Sequence, residues 1–343
     1  MQEGRHGGER PDQVAAGGRT AKLAGPIANA RHVPARTRRR RGSSPLLRTA
    51  LVLALATTLA FGAAKLVTTN RTAQAIVGTL KIAPSPATIA SQLSIPGAEA
   101  GACMSLPPTQ TGSGQTVFID AGHGGLDPGV VGTVAGHQVL EKDATLAVAS
   151  RLSDLLRADG YRVVMARTKD STVLKLSTTD SVMGALTASA EHRDLAARAA
   201  CANAAGAAAL VSIHFDAFSD PSVGGTETFY DSARTFSGES RRLAMTLQAA
   251  LVSALGTSDR GVWTDDQLAA PTLTSSGSTY GHLIELGPMA AGWVDNPSLM
   301  PGALVEPLFL TNPAEARVAS DPSGHQKIAG ALESGLVKYL THR

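Results

Sequence analysis

Residues 115–129 read QTVFIDAGHGGLDPG, and this stretch decides the fold. Residues 116–119 form a short run of β-branched and aromatic side chains, which predicts a buried strand. The run leads directly into a glycine-rich turn that carries His123. A histidine set among glycines at the carboxyl end of a leading strand sits where open α/β sheets place their sites, and the glycines allow close backbone approach. The turn is neither a phosphate loop nor a dinucleotide fingerprint, because it lacks the Gly-Lys-Ser/Thr ending and the Gly-x-Gly-x-x-Gly spacing. Working outward, the pattern predicts a helix over 140–158 stopped by Gly160, a strand over 161–166 and a helix over 191–204. A strand over 209–213 then leads into His214. Further strands are expected at 226–230, 282–286 and 303–305, with helices at 238–255 and 325–340. This alternation predicts one α/β domain over 115–343, a mostly parallel twisted sheet flanked by helices.

The 343 residues carry a small net charge of +3, but the average hides a split. The first 48 residues hold 11 basic against three acidic side chains, and the remainder holds 20 against 25. The folded part is therefore acidic, which argues against a nucleic-acid partner. Residues 1–45 lack apolar periodicity and read as a disordered basic segment. Residues 46–67 contain a long apolar run, TALVLALATTLAFGAA, bracketed by Arg48 and Lys65. Positive charge ahead of an apolar core predicts a cytoplasmic N-terminus and export of the chain beyond the core, with the segment acting as a signal peptide or as a signal anchor that tethers the chain to the membrane. Residues 68–114, rich in Pro, Ser and Thr, read as linker. Cys103 and Cys201 are an even pair in an exported chain, which permits one disulfide and equally permits two buried thiols.

Three side chains carry metal chemistry. His123 and His214 each follow a predicted strand, and Glu141 opens the helix after the first. A parallel α/β domain gathers such ends along one edge, and two histidines with one glutamate form a three-donor set of the catalytic zinc type. A zinc hydrolase also needs a carboxylate that is not a ligand, to move the proton of the attacking water. Glu285 and Glu306 both end predicted strands, and spacing does not choose between them.

In order, IDAGHGGLDPG, LEKD, SIHFDAF, LVEPLFLTNPAEA and KIAGALESGLVKYL resemble the zinc-dependent N-acetylmuramoyl-L-alanine amidases of the Amidase_3 type, over residues 117–340. The resemblance implies one zinc per chain held by His123, Glu141 and His214, with Glu306 as the catalytic glutamate because Phe309 and Asn312 follow it in the family's places. It implies hydrolysis of the amide between N-acetylmuramic acid and L-alanine, with peptidoglycan as the partner. Arg193 and Asn203 resemble a structural Arg and Ala-Asn pair of the family. Asp216 departs from the usual Asn after the second histidine. A zinc peptidase or carboxypeptidase acting on the stem peptide, and a non-catalytic wall-binding regulator, are the alternative readings.

Overall fold

The computed structural model describes residues 89–182, 185–267 and 280–342. The expected basic segment, the apolar segment 46–67 and residues 68–88 lie outside these residues. Among the described residues no helix is long and apolar enough to cross a membrane.

In chain order the strands are β1 (Ser91–Gln92), β2 (Ala102–Leu106), β3 (Thr116–Ala121), β4 (Val131–Val134), β5 (His137–Leu140), β6 (Arg162–Arg167), β7 (Ser181–Val182), β8 (Ala185–Leu186), β9 (Ala209–Ile213), β10 (Thr226–Tyr230), β11 (Asp259–Thr264) and β12 (Gly302–Glu306). The helices are α1 (Glu141–Ala158), α2 (Ala188–Ala205), α3 (Ser237–Leu255), α4 (Pro313–Ser320) and α5 (Pro322–Thr341). Eight strands make one sheet in the order β1-β2-β6-β3-β9-β12-β10-β11. Its centre, β6-β3-β9-β12, is parallel. β10 turns antiparallel to β12 and takes β11 with it as a parallel neighbour.

The alternation of each central strand sorts its side chains into two cores. Val117, Ile119, Val211, Ile213, Ala303 and Val305 point to one face and pack with Val148, Leu152, Leu247, Ile328, Leu332 and Leu336 of α1, α3 and α5. Phe118, Leu210 and Leu304 point to the other, against Ala197, Cys201 and Ala202 of α2. Local chemistry sets the helix ends. The Thr187 hydroxyl accepts from the Ala190 N–H at the start of α2, and Gly206 closes it in the left-handed conformation. Asn312 and Asp321 cap α4 and α5, each followed by a proline in the first turn.

Two expectations need correction. Residues 91–106 are not linker: β1 and β2 extend the sheet beyond β6, and Cys103 of β2 is disulfide-bonded to Cys201 of α2 across 98 positions. The Pro, Ser, Thr and Gly around it concealed this short apolar strand (ACMSL), which pairs with β6 and packs on α2. Residues 282–286 are a turn, not a strand: Leu283 O accepts from both the Leu286 and the Gly287 N–H groups, which closes the chain on itself instead of leaving it extended.

Candidate metal centre and active site

From β3 the chain passes through α1 to β6 on one side, then through α2 to β9 on the other. The order of the sheet therefore reverses between β3 and β9, the place where open α/β sheets bind ligands. His123 lies two residues beyond β3 and His214 one beyond β9, so both imidazoles stand at this switch point. Glu141 is the first residue of α1, where the helix dipole favours a carboxylate.

The three side chains meet. His214 Nδ1 lies 3.0 Å from His123 Nε2, and Glu141 Oε1 lies 3.1 Å from each nitrogen. His123 and Glu141 are held from behind. His123 Nδ1 donates to Asp127 Oδ2 at 2.7 Å, which leaves Nε2 facing the centre. Glu141 Oε1 accepts from the Phe215 N–H and Oε2 from the Val130 N–H, both at 2.8 Å. Glycines make the space: a Cβ at Gly122 would stand 2.4 Å from the His214 ring, and one at Gly129 would stand 2.5 Å from Glu141 Oε2. His123 itself has φ 62°, a left-handed conformation costly for a side chain of this size.

Two arginines clamp the loop that bears His123. Arg167, fully buried, donates to Ala121 O and Gly122 O at 2.9 Å. Arg198 donates to His123 O at 2.9 Å and is neutralised by Asp120 at 2.6 Å and Asp194 at 3.0 Å. Arg193, the residue matched to the family's arginine from sequence, is instead half-exposed and pairs with Asp180. Arg198 precedes Ala202-Asn203 by one helical turn of α2. Asn203 holds the segment after Trp293, donating to Pro297 O and accepting from the Leu299 N–H. Trp293 is stacked on Tyr280, with ring centroids 5.8 Å apart.

A triangle of two imidazole nitrogens and one carboxylate oxygen with edges of 3.0–3.1 Å fits a single zinc ion. Bonds of about 2.0–2.2 Å reach all three corners and leave the fourth direction open. Beside the triangle lies a cavity of about 390 Å³, lined by His123, His214, Glu191, Glu285 and Glu306 among others. Glu306 ends β12 and is paired in register with Glu227 of β10. Burial, reinforced by the Asp216, Glu141 and Glu227 carboxylates, raises Glu306 well above the usual carboxylate range, and its Oε2 has no hydrogen-bond partner among the described residues. Glu285 is raised likewise, by burial and then by Asp120, within a network of Ser212 and Arg198. Asp216 is pushed up to about 8 by burial and its hydrogen bond to Glu227. Burial alone would lower His123, but the Glu141 and Asp127 carboxylates outweigh it and raise the imidazole to about 10.

The fold and this cavity define an α/β protein with a three-donor cluster able to hold a metal ion at its switch point. Residues 117–338 match the Amidase_3 family, described as N-acetylmuramoyl-L-alanine amidase, and the chain belongs to that family. It is an enzyme that hydrolyses the peptidoglycan amide bond. It is 34% identical over 227 residues to the uncharacterized protein YqiI of Bacillus subtilis, spanning 66% of this chain and 85% of that one. It is 30% identical over 231 residues to the germination-specific N-acetylmuramoyl-L-alanine amidase of the same organism, spanning 67% and 82%. Among solved structures, the CwlD amidase of Clostridioides difficile, determined in complex with the GerS lipoprotein, superposes with a TM-score of 0.53 at 28% identity. That match covers 67% of this chain and all of CwlD.

Proposed function

We propose that His123 Nε2, Glu141 Oε1 and His214 Nδ1 hold one zinc ion and that Glu306 is the general base and acid for cleavage of the bond between N-acetylmuramic acid and L-alanine. The observation that carries this reading is the donor triangle beside a buried carboxylate with an unpartnered oxygen. Zinc at such a site acidifies water and polarises a carbonyl. Glu306 takes the proton of the attacking water and returns it to the departing amine nitrogen. Its buried, carboxylate-crowded setting favours the protonated form, so it holds the proton between the two transfers; positive charge at the triangle restores its basicity before attack. Asp127 fixes the His123 tautomer, and the Phe215 and Val130 N–H groups fix the Glu141 carboxylate.

The apolar segment 46–67 is the export signal or anchor in this reading, and residues 115–343 are the catalytic domain working outside the cytoplasmic membrane. The test is product mass on a defined muropeptide. A free lactyl carboxylate on muramic acid together with an intact stem peptide is expected, lost on chelation and restored by zinc. Turnover that persists in the zinc-free chain, or a shortened stem, overturns the proposal.

A further inference from the structure

A second histidine–carboxylate cluster lies at the other end of the sheet. β10 and β11 are parallel to each other, with Tyr230 opposite Thr264, and β10 is antiparallel to β12. The residues immediately after this last pair, Asp231 and Asp265, are thus brought side by side at the strand ends opposite the amidase centre. His282 closes over them from the turn-bearing segment. Its Nδ1 lies 2.8 Å from Asp231 Oδ2 and 3.4 Å from Asp265 Oδ1.

The Asp231 and Asp265 carboxyl groups also lie within hydrogen-bonding reach of each other, so without an ion a shared proton can hold the pair. Asp231 and Asp265 are each 1% exposed. One oxygen of each is used by backbone: Asp231 Oδ1 accepts from the Ala233 N–H at 2.7 Å, and Asp265 Oδ2 from the Leu283 N–H at 3.0 Å. The other two oxygens converge on one imidazole nitrogen, which carries at most one proton. That nitrogen is aligned on Asp265 Oδ1, and Asp231 Oδ2, although in ion-pair contact, is left without a hydrogen bond. The neighbouring Arg234 guanidinium directs N–H groups to the carbonyls of Leu286, Gly287 and Ser298. Two buried carboxylates and a ring nitrogen whose donor atoms all lie within 4.8 Å of one another form a site where a cation can replace that shared proton.

We propose that Asp231 Oδ2, Asp265 Oδ1 and His282 Nδ1 bind a second divalent transition-metal ion of the zinc class, separate from the ion of the proposed reaction. The nitrogen donor selects this class over calcium or magnesium, which prefer all-oxygen shells. His282 is partly exposed and supplies the entry path. The ion is structural in consequence: the segment leaving His282 is Leu283, Ile284, Glu285 and Leu286, one wall of the amidase cavity. Fixing His282 to the ends of β10 and β11 anchors that wall.

The test uses the full chain with His123→Ala and His214→Ala together, so that zinc at the amidase centre and amidase turnover play no part in the result. After equilibration with zinc and removal of the excess, about one zinc per chain is expected by elemental analysis, and about two in the unaltered chain. At hundredfold excess over its dissociation constant, zinc should raise Tm by roughly 5 to 10 °C in this background. Adding His282→Ala, or Asp265→Asn should the former misfold by circular dichroism, should bring both readouts to zero. A background chain that holds no zinc, or a further variant that keeps it, overturns the proposal.

Discussion

The two histidine–carboxylate clusters stand at opposite ends of one sheet and differ in what holds their donors. In the cluster of His123, Glu141 and His214 the first two donors are buttressed by a carboxylate and by backbone N–H groups, the loop bearing His123 is clamped by Arg167 and Arg198, and Gly122 and Gly129 leave the room that any side chain would fill. Around Asp231, Asp265 and His282 the two carboxylates ride on strand ends, but the histidine comes from a turn. The first geometry is imposed by the parallel core before any ion arrives. The second depends on a turn staying in place, so an ion there supports structure, whereas an ion at the first meets a site already formed.

The largest effect should come from the base, and it tests whether the first cluster acts as a site or only as a metal holder. Glu306→Gln keeps the shape of the side chain and removes its proton transfer. It should lower kcat by about 10²- to 10⁴-fold with zinc content unchanged by elemental analysis. Parallel loss of zinc would place Glu306 among the ligands instead. The matching variant Glu285→Gln should lose far less, because Glu285 belongs to the network of Asp120 and Arg198 beneath the centre.

The contrast also explains what the sequence disclosed. His123 and His214 follow strands whose burial is legible as apolar runs, and Glu141 opens a helix, so topology alone gathers them. The groups that make the cluster rigid were not legible: Asp127, Arg167 and Arg198 act through main-chain carbonyls or a ring nitrogen brought near only by folding. The second cluster was hidden for a related reason. β11 has little apolar content (DRGVWT), and residues 282–286 have a strand-like composition but form a turn. β2 was hidden differently: its five residues ACMSL are mostly apolar, but the Pro-, Ser- and Thr-rich chain around them reads as linker.

The clamp under the first cluster offers the next effect. Arg198→Met removes the cation from Asp120 and Asp194, both buried, and frees His123 O. Breaking a buried pair on one side costs about 3–5 kcal/mol, to be measured by urea unfolding of the metal-free chain, with zinc affinity falling as well. A loss under about 1 kcal/mol, far below that range, would mean that the loop keeps its shape without the clamp. Below this comes the disulfide, which closes a loop of 98 positions. Cys103→Ser with Cys201→Ser should cost about 2–4 kcal/mol and should spare zinc binding at the first cluster, since neither cysteine touches it.

The smallest effect separates orientation from charge at the first cluster. Asp127→Asn keeps an oxygen for the His123 Nδ1–H group but removes the negative charge, and zinc affinity at neutral pH should fall by about 10- to 100-fold. The pH dependence gives the sharper reading. Burial disfavours the imidazolium, yet Glu141 and Asp127 raise His123 to about 10 in the metal-free chain, so zinc must displace its proton. The proton is bound below that value, and the apparent affinity should therefore climb about tenfold per pH unit from neutrality until His123 deprotonates, then level off. Without the Asp127 charge the proton leaves more easily, so the plateau should begin at lower pH. Competition with a chromogenic chelator from neutral pH up to about 10 measures both curves. Curves of the same shape, merely offset, would show that Asp127 orients the ring and contributes nothing to its protonation.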